Sequence, residues 1–379
     1  MFRKLILIQL ILFLISGYIS GQVKVRLFAA RPLNLAVVSV KEGKFSLDSY
    51  DDKPMFLSKG ESAVFAFYNG RVAIKSNSSI SFACDSIIMK GMTGNDFFSV
   101  RINGNSNVEQ SYTGDLQCYS DLGYLVLINT CSIDQYIAGV VKAEGGTGRN
   151  IEYIKTQAVL ARTYMYRYFD RHLIDRYNLC DDTHCQAFMG ITPNHMINKA
   201  VHETSGLVVI GSDGNLIMSA FHSNCGGETV SSENVWLSGQ PYLKKVVDPF
   251  CSASPNSRWS KRIPVREWES YLNNSGYSRH GDAHPDFNFS QITRQKDYRK
   301  GSFSMPLIKI RDDFKLKSTF FSVFTDGNSV ILKGRGYGHG VGLCQEGAMV
   351  MASKGYSYKK ILSYYFSGII ISDIKSARK

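Results

Sequence analysis

Between residue 22 and about residue 130, apolar and polar positions alternate in short runs broken by glycines. Val23-Lys24-Val25-Arg26-Leu27-Phe28 alternates apolar and basic residues, the period of two expected of a half-buried strand. Leu35-Ala36-Val37-Val38-Ser39-Val40 reads as a second strand, and Gly43 and Gly60 punctuate the region. Tyr124-Leu125-Val126-Leu127-Ile128-Asn129 closes it as a more deeply buried strand. No chemistry suggests itself in this stretch, which reads as scaffold.

Helical spacing begins only after Asp134, which is expected to cap a short helix over 135–141. The run Gly145-Gly146-Thr147-Gly148 breaks the pattern. Asn150 then caps a longer helix to about Asp170, with Ile151, Ile154, Ala158, Ala161 and Met165 on one face. Strand signals return at 206–210 and 216–221, joined by the turn Ser212-Asp213-Gly214. A polar, aromatic stretch from Cys251 to Gly301 is hard to decode. Asp326-Gly327 then turns a hairpin between 320–324 and 330–332, and helices follow near 345–353 and 357–365. The class is α+β: a β-rich N-terminal scaffold and a mixed catalytic core, with a few helices lining a substrate groove. The expected division is a leader at 1–21, a β-rich part at 22–130, a core at 131–370 and a tail at 371–379.

The leader changes the compartment. Phe2-Arg3-Lys4 is a short basic start, Leu5 to Ile15 is apolar, and small residues follow through Gly21. This is the three-part form of a secretory signal peptide. Its apolar run is shorter than the ~20 residues of a spanning helix, although an uncleaved anchor is the alternative. No other segment is apolar enough to span a membrane, so an exported protein is expected: periplasmic, wall-associated or secreted. Eight cysteines then matter, because export exposes them to oxidation; their even number permits full pairing without assigning it.

Composition adds less. With 44% hydrophobic and 20% charged residues a core is easily built, which excludes wholesale disorder. The formal net charge is +12, yet no run of five or six basic residues occurs, which argues against a nucleic-acid partner. The charge suits either a polyanion such as an anionic cell wall or a merely soluble surface.

Four clusters could carry chemistry. Val140-Val141-Lys142-Ala143-Glu144-Gly145-Gly146 sets one carboxylate at a helix end, against apolar neighbours. Burial there would keep Glu144 protonated near neutrality, as a general acid requires; the plainer alternative is a solvent-facing loop glutamate. On the next helix, Gln157 and Arg162 face a substrate, Glu144 or only solvent. Cys180-Asp181-Asp182-Thr183-His184-Cys185-Gln186 offers two thiols and an imidazole, which suit zinc, with His172 a candidate fourth ligand. A Cys180–Cys185 disulfide is the rival reading. Last come two glycine-rich runs, Phe221 to Thr229 and Gly334 to Gly342. The second contains G-x-G-x-G but follows a hairpin strand, lacks a ribose-binding acid and has no lysine-serine ending, so no nucleotide cofactor is expected. Ser223 lacks the G-x-S-x-G elbow of a serine hydrolase.

In this order the clusters resemble the SpoIID/LytB family. The matching runs are Y-I-A-G-V-V-K-A-E at 136–144, K-T-Q-A-V-L-A-R-T-Y at 155–164, and C-D-D-T-H-C-Q at 180–186. Further on are F-H-S-N-C-G-G-E-T at 221–229, P-Y-L at 241–243, L-K-S-T-F-F at 316–321, and G-Y-G-H-G-V-G-L-C-Q-E-G-A at 336–348. The resemblance spans roughly Val23 to Ile370. It implies a lytic transglycosylase of peptidoglycan, acting on strands stripped of stem peptides, with Glu144 as catalyst. It places the family's arginine on Arg162, its serine on Ser223 and its histidine on His339. Gln157, His222 and Gln345 complete the expected substrate-binding set. Some members hold zinc near the active site, which favours metal at Cys180, His184 and Cys185. Cys225 and Cys344 depart from many members and are candidates for disulfides. Other members enhance a cell-wall amidase, so a wall-binding partner of such an enzyme is the main alternative. A zinc-dependent amidase is a third reading.

Overall fold

The computed structural model describes residues 21–49, 54–76, 81–102, 108–145, 149–236, 238–278 and 286–377. The expected leader and the glycine loop at 146–148 lie outside the described residues, apart from Gly21. Helices and sheets are both abundant, which makes the fold α+β. Two compact units divide it: one takes the described residues through Gly145 together with Met165–Ser205, the other the remaining described residues. Among the described residues no helix is long and apolar enough to cross a membrane.

The first unit is built on two sheets, antiparallel except where Leu179–Cys180 runs parallel to Gln22–Leu27. One has seven strands, with Gln22–Leu27 between Tyr124–Ser132 and the short Leu179–Cys180. The other has six and centres on Leu35–Glu42, flanked by Phe97–Ile102 and Ser62–Tyr68. Alternate side chains of Gln22–Leu27 and Leu35–Glu42 are buried, as the period of two requires. Phe45 meets Phe98 edge to face at 5.6 Å between ring centroids, an aromatic contact in the core shared by both sheets. Leu125 to Ile128 are buried on both sides of their strand, and α1 (Ile133–Glu144) follows it directly.

That helix starts earlier than its spacing suggests. Ser132, not Asp134, is the cap: its side chain accepts from Gln135 N while Gln135 returns a bond to Ser132 N, each 3.3 Å long. This reciprocal box outcompetes a single Asp cap. Asp134 sits in the first turn and accepts from Ser205 Oγ at 3.0 Å. The helix also runs on to Glu144, which is its last residue. α2 (Ile151–Arg167) follows, with Asn150 Oδ1 accepting from Glu152 N at 2.9 Å. α3 (His195–Glu203), capped by Asn194, has no counterpart in the expectations above and packs on α1.

In the second unit Leu207–Ile210 pairs with Ile370–Asp373. The strand expected over 216–221 is reduced to Phe221–His222, parallel to Leu343–Cys344. Leu216 still bridges Ile210 and Ile217 N donates to the Val209 carbonyl, but Met218 N turns to Tyr242 Oη at 2.9 Å and the pairing stops there. Arg258–Pro264, Ser329–Arg335 and Phe321–Asp326 form a three-stranded sheet that contains the expected hairpin. On it pack α4 (Val265–Asn273) and α5 (Leu307–Asp313), burying Trp268, Leu272, Tyr298 and Ile310. The undecodable stretch is therefore part of an aromatic core of its own. α6 (Gln345–Ser353) and α7 (Tyr358–Tyr365), the latter capped by Ser357, form where expected, ahead of the strand Ile370–Asp373.

Candidate functional site

Glu144 is half-buried at the C-terminal end of α1, and Ala187 N donates to its Oε1 at 2.6 Å. Burial pushes the carboxyl up to about 7, with the Ala187 N–H pulling the other way. The negative end of the helix dipole also opposes a second negative charge there. A carboxyl balanced near neutrality is one that gives and retakes a proton.

One face of α1 fixes the strand of chain that carries Ala187. Tyr136, Gly139 and Lys142 lie at three-residue spacing. Tyr136 Oη donates to Gln186 Oε1 at 3.3 Å, and its ring lies 5.2 Å from that of Phe188. Lys142 Nζ donates to the carbonyls of Met189 and Ile191, each at 2.9 Å. At Gly139 the chain comes so close that a Cβ would collide with the Phe188 ring and the Gly190 carbonyl.

Two residues before Ala187 stands the Cys/His cluster. Ligand atoms of His172, Cys180, His184 and Cys185 all lie within 4.8 Å of one another. Cys180 Sγ is 3.6 Å from His184 Nδ1, and Cys185 Sγ is 3.7 Å from it and 3.5 Å from His172 Nε2. Zinc bonds of ~2.0–2.3 Å in a tetrahedron place their ligands roughly 3.3–3.8 Å apart, so donor set and spacing fit zinc. His172 Nδ1 lies 3.1 Å from Asp175 Oδ2, which directs its proton there and leaves Nε2 for a metal. Arg171 Nη1 donates to the His184 carbonyl at 2.7 Å. Neither cysteine is in a disulfide, nor is any of the other six.

The remaining residues picked from the sequence belong to the second unit. Gln157 and Arg162 are buried, not the surface pair of an ordinary amphipathic helix. Arg162 Nη1 donates to the Leu207 carbonyl at 3.3 Å, and Gln345 Nε2 to Gln157 Oε1 at 3.5 Å. His222 and His339 have their rings 5.5 Å apart. His222 Nδ1 bonds the Val341 carbonyl at 3.1 Å, so it carries the proton. His339 Nε2 donates to the Phe221 carbonyl and its Nδ1 accepts from Val341 N, both at 3.0 Å. Burial pushes His339 down to about 4 and His222 well below the usual range, so both are neutral. His339 thus spends both nitrogens on backbone and offers a ligand its ring face, beside Trp236 at 5.4 Å. Ser223 Oγ accepts from Asn256 Nδ2 at 3.3 Å.

Gly336, Gly338, Gly340 and Gly342 all have positive φ, and a Cβ on any of them would strike residues 220–226 or Arg294. Their alternation is a device for close packing. Several further residues have roles that their motifs did not announce. Glu346 accepts from Asn224 Nδ2 at 2.5 Å and Asn256 Nδ2 at 2.6 Å, which ties three segments together. Gln186 was visible in the C-D-D-T-H-C-Q run but without a role; its buried Nε2 has no partner among the described residues.

Comparison with known proteins agrees with these motifs. A family model described as stage II sporulation protein, SpoIID, matches residues 122–210. An uncharacterized protein of Brachyspira hyodysenteriae is 30% identical over 281 residues, covering 71% of this chain and 74% of that protein. The stage II sporulation protein D of Bacillus amyloliquefaciens is 28% identical over 273 residues, 66% of this chain and 76% of its own length. The amidase enhancer of Bacillus subtilis is 28% identical over 291 residues, and the chain spans only 40% of its length. The matched segment contains both Glu144 and the Cys/His cluster, and the chain belongs to the SpoIID/LytB family.

Proposed function

We propose that the protein is an exported lytic transglycosylase that cuts peptidoglycan glycan strands with Glu144 as acid and base. One observation supports this above others: a carboxyl at about 7, fixed by a backbone N–H at a helix end. A glycosidic bond breaks when its leaving oxygen is protonated and the sugar passes through an oxocarbenium-like state. Glu144 gives that proton, then takes one from the C6 hydroxyl of the same sugar as it closes on the anomeric carbon. The product is a 1,6-anhydro end, and no second carboxylate is required. Gln157, Arg162, His222, Ser223, His339 and Gln345 are assigned to holding the strand. Zinc on His172, Cys180, His184 and Cys185 would cross-link the chain that carries Ala187, since four protein ligands complete a tetrahedral shell and leave no open position.

The test is Glu144→Gln on purified peptide-stripped glycan, with anhydro ends counted by mass spectrometry. Acid–base help of this kind contributes ~10²- to 10⁴-fold, and the variant should lose at least that much. Unchanged release of anhydro ends would exclude the mechanism. The likeness to a relative named for enhancing an amidase supports a second reading, in which the protein binds wall strands and recruits that enzyme. It requires that the wild-type protein alone make no anhydro ends while raising the rate of an added amidase.

A further inference from the structure

The second unit contains a further group of metal-ligand side chains, away from the sequence runs that first suggested zinc. Cys225, Asp248, Cys251 and Cys344 are all fully buried, and their ligand atoms lie within 4.8 Å of one another. Cys225 Sγ is 3.4 Å from Cys251 Sγ and 3.2 Å from Asp248 Oδ2. We propose that these four residues form a structural zinc site that staples the Ser223 loop to the start of α6.

Three features of the cluster favour a metal over a disulfide. Its sulfurs are odd in number, and a disulfide between any two would leave a buried thiol beside a carboxylate. The carboxylate is the second feature. Asp248 is completely buried, a costly place for a charge unless it is paired or coordinated. Tyr365 Oη donates to its Oδ2 at 3.0 Å and Phe250 N to its Oδ1 at 2.9 Å, which orients it as outer bonds orient a ligand. The third feature is at Cys344, where two backbone N–H groups point at sulfur: Cys225 N at 3.3 Å and Gly347 N at 3.4 Å. Cys344 is also the N-cap of α6, so its sulfur sits at the helix's free N–H groups.

The spacing is near that of a tetrahedral shell of three sulfurs and one oxygen, whose ligand atoms stand roughly 3.5–3.8 Å apart around zinc. As the ion enters, each thiol releases its proton and the sulfur lone pair takes its place on the metal. Two zinc-bound segments would then be Cys225, two residues beyond Ser223, and Cys344, just before Gln345 and Glu346. Asp248 and Cys251 come from a third. The buried Arg294 donates to the Cys225 carbonyl at 2.7 Å and supplies positive charge beside this anionic cluster. The site stands independently of whether the protein cleaves glycan.

The experiment counts zinc in the full chain purified without chelators. In Cys180→Ser/Cys185→Ser, which removes the first cluster, one zinc per chain should remain. Adding Cys225→Ser and Cys344→Ser should take it to zero. A first-cluster variant free of zinc overturns the proposal. So does a peptide map under non-reducing conditions that joins any two of Cys225, Cys251 and Cys344. Should the variants be insoluble, the wild-type chain decides: two zinc ions by native mass support the site, and none, or a single zinc whose X-ray absorption shows two sulfur and two nitrogen ligands, overturns it.

Discussion

Ala187 N donates to Glu144 Oε1 at 2.6 Å, across 43 residues of sequence. The only carboxyl with a role in the proposed chemistry is therefore positioned by backbone, and that backbone is pinned by α1 on one side and by the Cys/His cluster just before it. Each of these supports can be removed separately.

Stability should depend on pH through Glu144. Its folded carboxyl sits at about 7, above the ordinary 4.5, so folding favours the protonated form. This contribution is fully present below about 4.5 and is lost as pH rises through about 7. Glu144→Gln, which cannot ionise, should melt higher than the wild type above neutrality and converge with it in acid. Thermal melts at both extremes test this, and equal melting temperatures at every pH would contradict the assigned burial.

The rate should carry the same signature. As general acid, Glu144 must hold its proton when the leaving oxygen departs, so kcat/KM on glycan should fall as pH rises past about 7. A profile flat through neutrality would assign the proton to another group.

Gly139→Ala tests the close approach of α1 to the chain carrying Ala187. The added methyl meets the Phe188 ring and the Gly190 carbonyl. Overpacking of this kind costs ~1–3 kcal/mol. Denaturant unfolding should show that loss, and glycan cleavage should fall further than Ala substitutions on exposed faces.

Stripping metal from the intact chain should loosen the turn from His172 to Cys185. Strong chelation, or Cys185→Ser, is expected to lower the melting temperature and raise amide exchange at 184–188, with readdition of zinc restoring only the chelated wild type. Exchange unaltered by either treatment would mean that hydrogen bonds alone hold the turn.

Glu346→Gln probes the node under Ser223. The carboxylate accepts from the amides of Asn224 and Asn256, and a glutamine must turn one N–H toward another donor. A buried donor left unpaired costs ~1–3 kcal/mol. Unfolding should record it, and Glu346→Asp should recover only part.

Local rules made much of the fold legible. Alternation at 22–27 and 35–40, the Asp326-Gly327 hairpin, and the two last helices all follow from residues within a few positions of each other. The shortfalls share a cause. The cap of α1 moved to Ser132 because two side chains reciprocate, and the strand at 216–221 stops after Ile217 because Met218 N turns to the Tyr242 hydroxyl. α4 and α5 are only nine and seven residues long, too few turns for helical spacing to stand out, and their buried residues meet only in the folded core.

The chain by itself determined the family, through seven runs in register, and named Glu144, His172, Cys180, His184 and Cys185 by residue type and order. Only tertiary structure decided what those residues experience. A carboxyl's pKa depends on burial and on a donor 43 residues away, and a ligand set on where loops bring their sulfur and nitrogen atoms. The cluster of Cys225, Asp248, Cys251 and Cys344 is the extreme case: its members are scattered over more than a hundred residues, and only folding brings them together in space.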